Sequence, residues 1–183
     1  MKNILLCVTG SIAAYKAAEI ANILTKEEYH VETILTKSGE EFITPLTFRT
    51  LTKNRVYGNM FQEYDVDKVE HISIAKKTDL CIIAPATANI IGKLAGGIAD
   101  DMLTTVVMAL KDVPVYICPA MNTNMYENPI VQRNINLLKE LGYYFIEPKV
   151  GHLACGDLGK GSLADINIIV QTIKAHLALV KGE

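Results

Sequence analysis

The sequence predicts an α/β fold, a mainly parallel and doubly wound sheet with helices on both faces, on three observations. Apolar strand-like runs alternate with helix-like segments along the whole chain. Strands separated by helices pair in parallel, because a parallel connection needs a crossover. The runs are continuously apolar instead of alternating, as strands covered on both faces are.

The elements follow in order. "ILLCVTG" (4–10) is the first strand, and after it Ala14, Ala17, Ala18, Ala21 and Leu24 are spaced as one face of a helix. "VETILTK" (31–37) is the second strand and leads into a helical stretch from about Glu40 to Leu51. The polar, weakly periodic "YGNMFQEYDVDKVEH" (57–71) is expected to be a mobile surface loop. "DLCIIAPA" (79–86), "VPVYICPAM" (113–121) and "YYFIEP" (143–148) supply further strands, each followed by helix-like or loop sequence. This is the pattern of a single Rossmann-like or flavodoxin-like domain over residues 1–183, long enough to bury about 70% of its unfolded surface.

A net charge of -2 and the lack of a basic stripe argue against a nucleic-acid partner. No apolar run reaches the roughly 18 residues of a membrane span, and the first residues run straight into a strand, so a cytoplasmic protein is expected. The four cysteines (7, 81, 118 and 155) lack the paired spacing of a zinc site, and no metal is expected. Cys7, Cys81 and Cys118 lie inside strand runs, where a free thiol behaves as a small hydrophobe.

In this architecture ligands bind beyond the carboxyl ends of the strands. The first strand ends in Gly10 and Ser11 as a helix opens, which serves either an anion at the helix start or a simple N-cap. Thr36 and Ser38 place two more hydroxyls at the second tip. At the third, "APATANIIGKLAGGIADDML" (84–103) presents Thr87 and Asn89 amid Ala and Gly, which suits either a flat ligand approached by backbone or close helix packing. Asp100 and Asp101 read as a helix cap and first turn.

The fourth tip, "PAMNTNMYENP" (119–129), leaves its strand through an amide, Asn122, set between the thioethers of Met121 and Met125. Those two methionines serve as soft ligand walls or as core filling. Of the histidines, His30, His152 and His176 sit in surface-like or loop contexts. His71 opens a helical segment, where a base or a structural role is open to it. "GHLACGDLGKGSLAD" (151–165) is a glycine-rich stretch expected to form a functional loop without secondary structure. Its Cys155 lies outside any core-like run, and an ordinary thiol pKa near 8.5 suits it to giving a proton better than to attack. An incidental loop thiol remains the other reading.

Together, "GSIAAYKA", "EHI", "APATAN", "PAMNTNMY" and "LACGDLGKG" resemble the flavin-dependent cysteine decarboxylases over essentially the whole chain. The match at 119–126 follows the family signature Pro-x-Met-Asn-x-x-Met-Trp, with Tyr126 in place of Trp. Ser162 stands where relatives often carry Arg. The resemblance implies FMN at Gly10, Ser11, Ile12, Thr36, Lys37, Ser38, Thr87, Ala88, Asn89, Ile90 and Ala120. It implies His71 as base, Asn122 as holder of the substrate carboxylate beside Met121 and Met125, and Cys155 as acid. It further implies the small-molecule substrate 4'-phosphopantothenoylcysteine, no fused synthetase domain, and a homotrimer or dodecamer of trimers with sites at subunit contacts. The alternatives are decarboxylation of a peptide's terminal cysteine, as in lantibiotic maturation, and a non-catalytic regulatory subunit of the same fold.

Overall fold

The structure, a computed structural model, describes residues 1–61, 69–152 and 158–179. The first half runs β1 (Asn3–Val8), α1 (Ala14–Lys26), β2 (His30–Leu35), α2 (Lys37–Glu40), α3 (Pro45–Thr52), β3 (Val56–Tyr57) and α4 (Glu70–Lys77). The second continues with β4 (Leu80–Ala86), α5 (Ala88–Ala95), α6 (Met102–Ala109), β5 (Val115–Pro119), α7 (Thr123–Glu127), α8 (Pro129–Glu140) and β6 (Tyr144–Phe145). An antiparallel hairpin, β7 (Lys149–His152) and β8 (Leu158–Ser162), precedes the last helix, α9 (Ile166–Leu179).

Among the described residues, β1 to β6 form one parallel sheet in the order β3-β2-β1-β4-β5-β6. Its two faces account for the continuous apolar runs. Ile4, Leu6 and Val8 of β1, with Ile82 and Ala84 of β4, pack under α1 and α9, while Leu5, Cys7, Cys81 and Ile83 face a second core against α4, α6 and α8. Adjacent residues of one strand therefore serve opposite cores. Helix α1 buries Ala14, Ala17, Ile20, Ala21 and Leu24, and Ala18 is only half-buried. Burial raises the thiols of Cys7 and Cys118 above the ordinary range, so neither is reactive.

Several expectations are corrected. The helical stretch at 40–51 is two helices, because Thr44 and Pro45 start α3 afresh with proline in its first turn. Residue 57 is not loop: Tyr57 is wholly buried in edge strand β3, its hydroxyl donating to Glu32 Oε1 at 3.2 Å. Residues 62–68 of the expected mobile loop lie outside the described residues. The strand expected at 143–148 shortens to Tyr144–Phe145. The stretch 151–165 is largely the β7–β8 hairpin, with 153–157 outside the described residues. His176, expected in a surface-like context, is half-buried, with its Nδ1 paired to the Tyr116 hydroxyl at 2.8 Å. No described helix is long and apolar enough to cross a membrane.

The strand order reverses direction between β1 and β4, and one buried hydroxyl ties the two tips there. Thr9 Oγ1 donates to the Pro85 carbonyl at 2.7 Å and accepts from the Thr87 amide at 3.2 Å, next to the cis Ala84–Pro85 bond. Thr9→Val keeps the shape and strands both partners, so it is expected to lower unfolding stability by about 1–3 kcal/mol. Urea denaturation checks this, and an unchanged midpoint would rule the tie out.

Candidate functional site

Beyond the carboxyl ends of β1, β4 and β5 lies a cleft of about 620 Å³. Gly10, Ser11 and Ile12 line it from the β1–α1 turn, Thr87 and Ala88 from the end of β4, and Ala120, Met121, Asn122 and Met125 from the end of β5. An adjoining cleft of about 440 Å³ shares Gly10, Thr87, Ala88 and Met125 and adds Thr36, Lys37, Ser38, Asn89 and Ile90. The two clefts together take in every position that the resemblance assigns to the cofactor. His71, the second residue of α4 and half-buried, lines neither. Cys155 lies outside the described residues.

Two of the tip hydroxyls, Thr36 and Thr87, act as helix caps, while Ser11 braces the turn before α1, whose N-cap is Ala13 without a side-chain cap bond. Thr36 Oγ1 accepts from the Gly39 amide at 3.1 Å, Thr87 Oγ1 from Ile90 at 3.3 Å, and Ser11 Oγ from Ala13 at 3.3 Å. Each thereby fixes the direction of the backbone that forms the cleft wall. Gly10 is required sterically: a Cβ there would lie 2.6 Å from Ser38 Cβ and 2.9 Å from the Ser38 carbonyl oxygen. Only glycine lets the first tip and residues 36–38 close on one another.

These residues suit a flavin mononucleotide. The start of α1, Ser11 and Ser38 offer amide and hydroxyl donors to a phosphate. Ala88 and Ala120 leave room for a flat ring, and Met121 and Met125 offer polarizable walls. Met125 is 49% exposed, so it is a cleft wall and not core filling. Beside the adjoining cleft, Lys93 pairs with Asp100 at 2.7 Å and Asp101 at 3.2 Å, and these contacts raise its pKa. Asp101 caps α6 in a reciprocal capping box with Thr104.

Asn122 is the N-cap of α7, its Oδ1 accepting from the Asn124 amide at 2.8 Å. The cap orients the carboxamide and makes Nδ2 the donor end. The β8 strand sits directly on this segment. The Met121 amide donates to the Gly161 carbonyl at 2.9 Å. A Cβ at Gly159 would run into the Thr123 side chain, and one at Gly161 into the Met121 carbonyl oxygen. These hairpin glycines therefore serve backbone approach, which their sequence context alone did not reveal.

Tyr126 secures the other end of α7. Its amide donates to the Asn122 carbonyl at 2.9 Å, and its buried hydroxyl donates to Glu147 Oε2 at 2.5 Å. Glu147 also accepts from Lys139 of α8 at 2.9 Å and from Lys160 of β8 at 3.1 Å, so one carboxylate joins three elements around the Asn122 segment. Neither Glu147 nor the cleft residues Tyr15, Lys16 and Phe42 were singled out from sequence. Lys16, in the first turn of α1, falls within the stretch "GSIAAYKA" but was given no role there.

Burial alone would raise the Glu147 carboxyl. Hydrogen bonds from Tyr126, Lys139 and Lys160 outweigh it and hold the pKa at about 2, against an ordinary 4.5. A depressed folded-state pKa stabilises above the ordinary value and is lost as pH falls through the folded one. The side chain is 45% exposed, so solvent screening keeps the contribution to about 1 kcal/mol or less. Glu147→Gln is expected to be the less stable protein at neutral pH, with the gap closing as pH falls from 4.5 towards about 2. Chemical denaturation across that range checks it, and a gap independent of pH would count against the charged network.

A family model described as Flavoprotein matches residues 1–178. The chain is 52% identical over 177 residues to the "Probable phosphopantothenoylcysteine decarboxylase" of Streptococcus mutans, covering 96% of this chain and 99% of that one. A solved phosphopantothenoylcysteine (PPC) decarboxylase mutant complexed with pantothenoylaminoethenethiol superposes with a TM-score of 0.87 at 32% identity, over 97% of this chain and 98% of the other. The FMN binding protein AtHal3 superposes with a TM-score of 0.82 at 33% identity, over 96% of each chain. With the parallel sheet, the reversal at β1/β4 and a matched length of 178 residues, the chain belongs to the Flavoprotein family.

Proposed function

We propose that the chain is an FMN-dependent decarboxylase of coenzyme A biosynthesis, converting 4'-phosphopantothenoylcysteine to 4'-phosphopantetheine. One observation carries the reading: a slot suited to a flavin and the carboxamide of Asn122 share one cleft, in a chain 52% identical to the Streptococcus mutans relative named for this reaction. The FMN-binding neighbour and the neighbour complexed with a pantothenoyl compound support the choice of cofactor and substrate.

When bound, the flavin supplies a reversible two-electron sink for the cysteine CH2–SH, so that CO2 departs from a position β to a C=S group. The chain's residues orient the substrate and move its protons. Asn122 Nδ2 engages the carboxylate with a charge-assisted hydrogen bond of roughly 1.5–3 kcal/mol. An amide orients this group without the strong ion pair that would stabilise the carboxylate against leaving. Met121 and Met125 exclude water beside it. His71 accepts a proton as the cysteine is oxidised, and Cys155 returns one after CO2 is lost. The assembly reading is a homotrimer, or a dodecamer of trimers, with sites at subunit contacts. It is supported by His71 lying away from the clefts of its own chain, so that His71 of the partner subunit is the copy to reach them.

Mass spectrometry of the flavin-loaded protein with 4'-phosphopantothenoylcysteine and with a cysteine-terminated peptide tests the function. Conversion of the first alone is expected, and conversion of the peptide alone would replace this reading with peptidyl-cysteine decarboxylation. His71→Asn is expected to retain the flavin absorbance while CO2 release falls by at least about 100-fold. Full activity there would remove the base assignment. Cys155→Ser is expected to release CO2 and accumulate a product lighter than 4'-phosphopantetheine by two hydrogen atoms; normal product alone would dismiss the acid role.

A further inference from the structure

Helix α4 carries His71 as its second residue and has little of its own to hold it in place. It is eight residues long, Val69 at its N-cap makes no side-chain cap bond, and of its residues only Ile74 and Ala75 are buried. A helix this short owes its placement to tertiary contacts. Polar contacts at both ends tie it to the sheet edge. At the far end, Lys77 Nζ lies 2.6 Å from Glu32 Oε2 of β2 and 2.8 Å from Oε1, and donates to the Tyr57 hydroxyl of β3 at 3.3 Å. The His30 ring stands 3.7 Å from the same carboxylate. At the near end, the Glu70 side chain, 9% exposed, faces Arg55 at 4.0 Å, and Arg55 directly precedes β3.

Glu32 and Tyr57 are buried, and neither they nor Lys77 line the two clefts of the site. Apolar residues of similar size would stabilise such a contact about as well as a buried ion pair does. What the polar cluster adds is direction: a carboxylate, a phenol and an ammonium in mutual contact fix how far α4 is turned about its axis and how far it slides along it. His71 is six residues from Lys77, about 9 Å along that axis. We infer that Glu32, Tyr57 and Lys77 are positioning residues for His71, an inference that rests on the base role proposed above. Proton transfer is sensitive to such placement, since about 1 Å of misplacement costs on the order of 100-fold in rate.

The test compares three variants of the flavin-loaded protein with the parent. Glu32→Gln combined with Lys77→Met removes both charges and strands neither, Tyr57→Phe removes only the hydroxyl, and Lys77→Arg keeps the pairing. In the double variant kcat for CO2 release is expected to fall by about 10-fold to 100-fold, with KM for 4'-phosphopantothenoylcysteine within about twofold and flavin absorbance unchanged. Tyr57→Phe is expected to show a smaller fall in kcat alone, and Lys77→Arg to keep most of the parent rate. Hydrogen exchange of the α4 amides is expected to quicken in the double variant while β1 and β4 keep their protection. A parent-like kcat in the double variant, or a change confined to KM, overturns the assignment. Exchange that quickens equally throughout β1 and β4 also overturns it, because the cluster would then serve overall stability. Full activity in His71→Asn would remove the base, and this role with it; a slow His71→Asn beside a double variant of parent rate would leave the base standing and overturn the positioning role alone.

Discussion

The constraint on which the site depends is the tie between the diverging tips of β1 and β4. A doubly wound sheet sends its crossovers to opposite faces on either side of one strand pair, and the crevice opens where they part. Here the buried Thr9 hydroxyl spans that point, bonded to Pro85 and Thr87. Gly10 and Thr87, on either side of it, line both clefts. Rigid neighbours set the shape of the crevice, as Thr87 caps α5 and Gly10 lies against residues 36–38.

A second anchor lies at the β5 tip. The Asn122 segment is held from below by α7, from the side by β8 and at its far end by Tyr126. Tyr126 stands where the family signature has Trp, and its phenol gives Glu147 a donor that joins it to Lys139 and Lys160. The aromatic body fills the core while the polar end organises a half-exposed charge cluster, a division of labour that tyrosine allows. The cluster contributes modestly to stability but fixes the relative placement of α7, α8 and β8.

Local pattern was enough to establish the parallel sheet, the main strands, a helix start at Asp100 and Asp101 (one residue later than read, with Asp101 the cap), and Gly10, Thr87 and Asn122 as groups at strand tips, because apolar periodicity and turn chemistry act within a few residues. Edge strand β3 escaped notice, since two residues ahead of Gly58 carry no periodicity. The β7–β8 hairpin read as loop because Gly159 and Gly161 are demanded by contact with Thr123 and Met121, residues more than 35 positions away. Sequence by itself therefore determined the architecture and the chemical types gathered at the strand ends. Only the tertiary structure decided that Thr9 spans two strands, that Glu147 joins three elements, that Lys16 faces the cleft and that His71 does not, because each depends on distances between segments that no local pattern encodes.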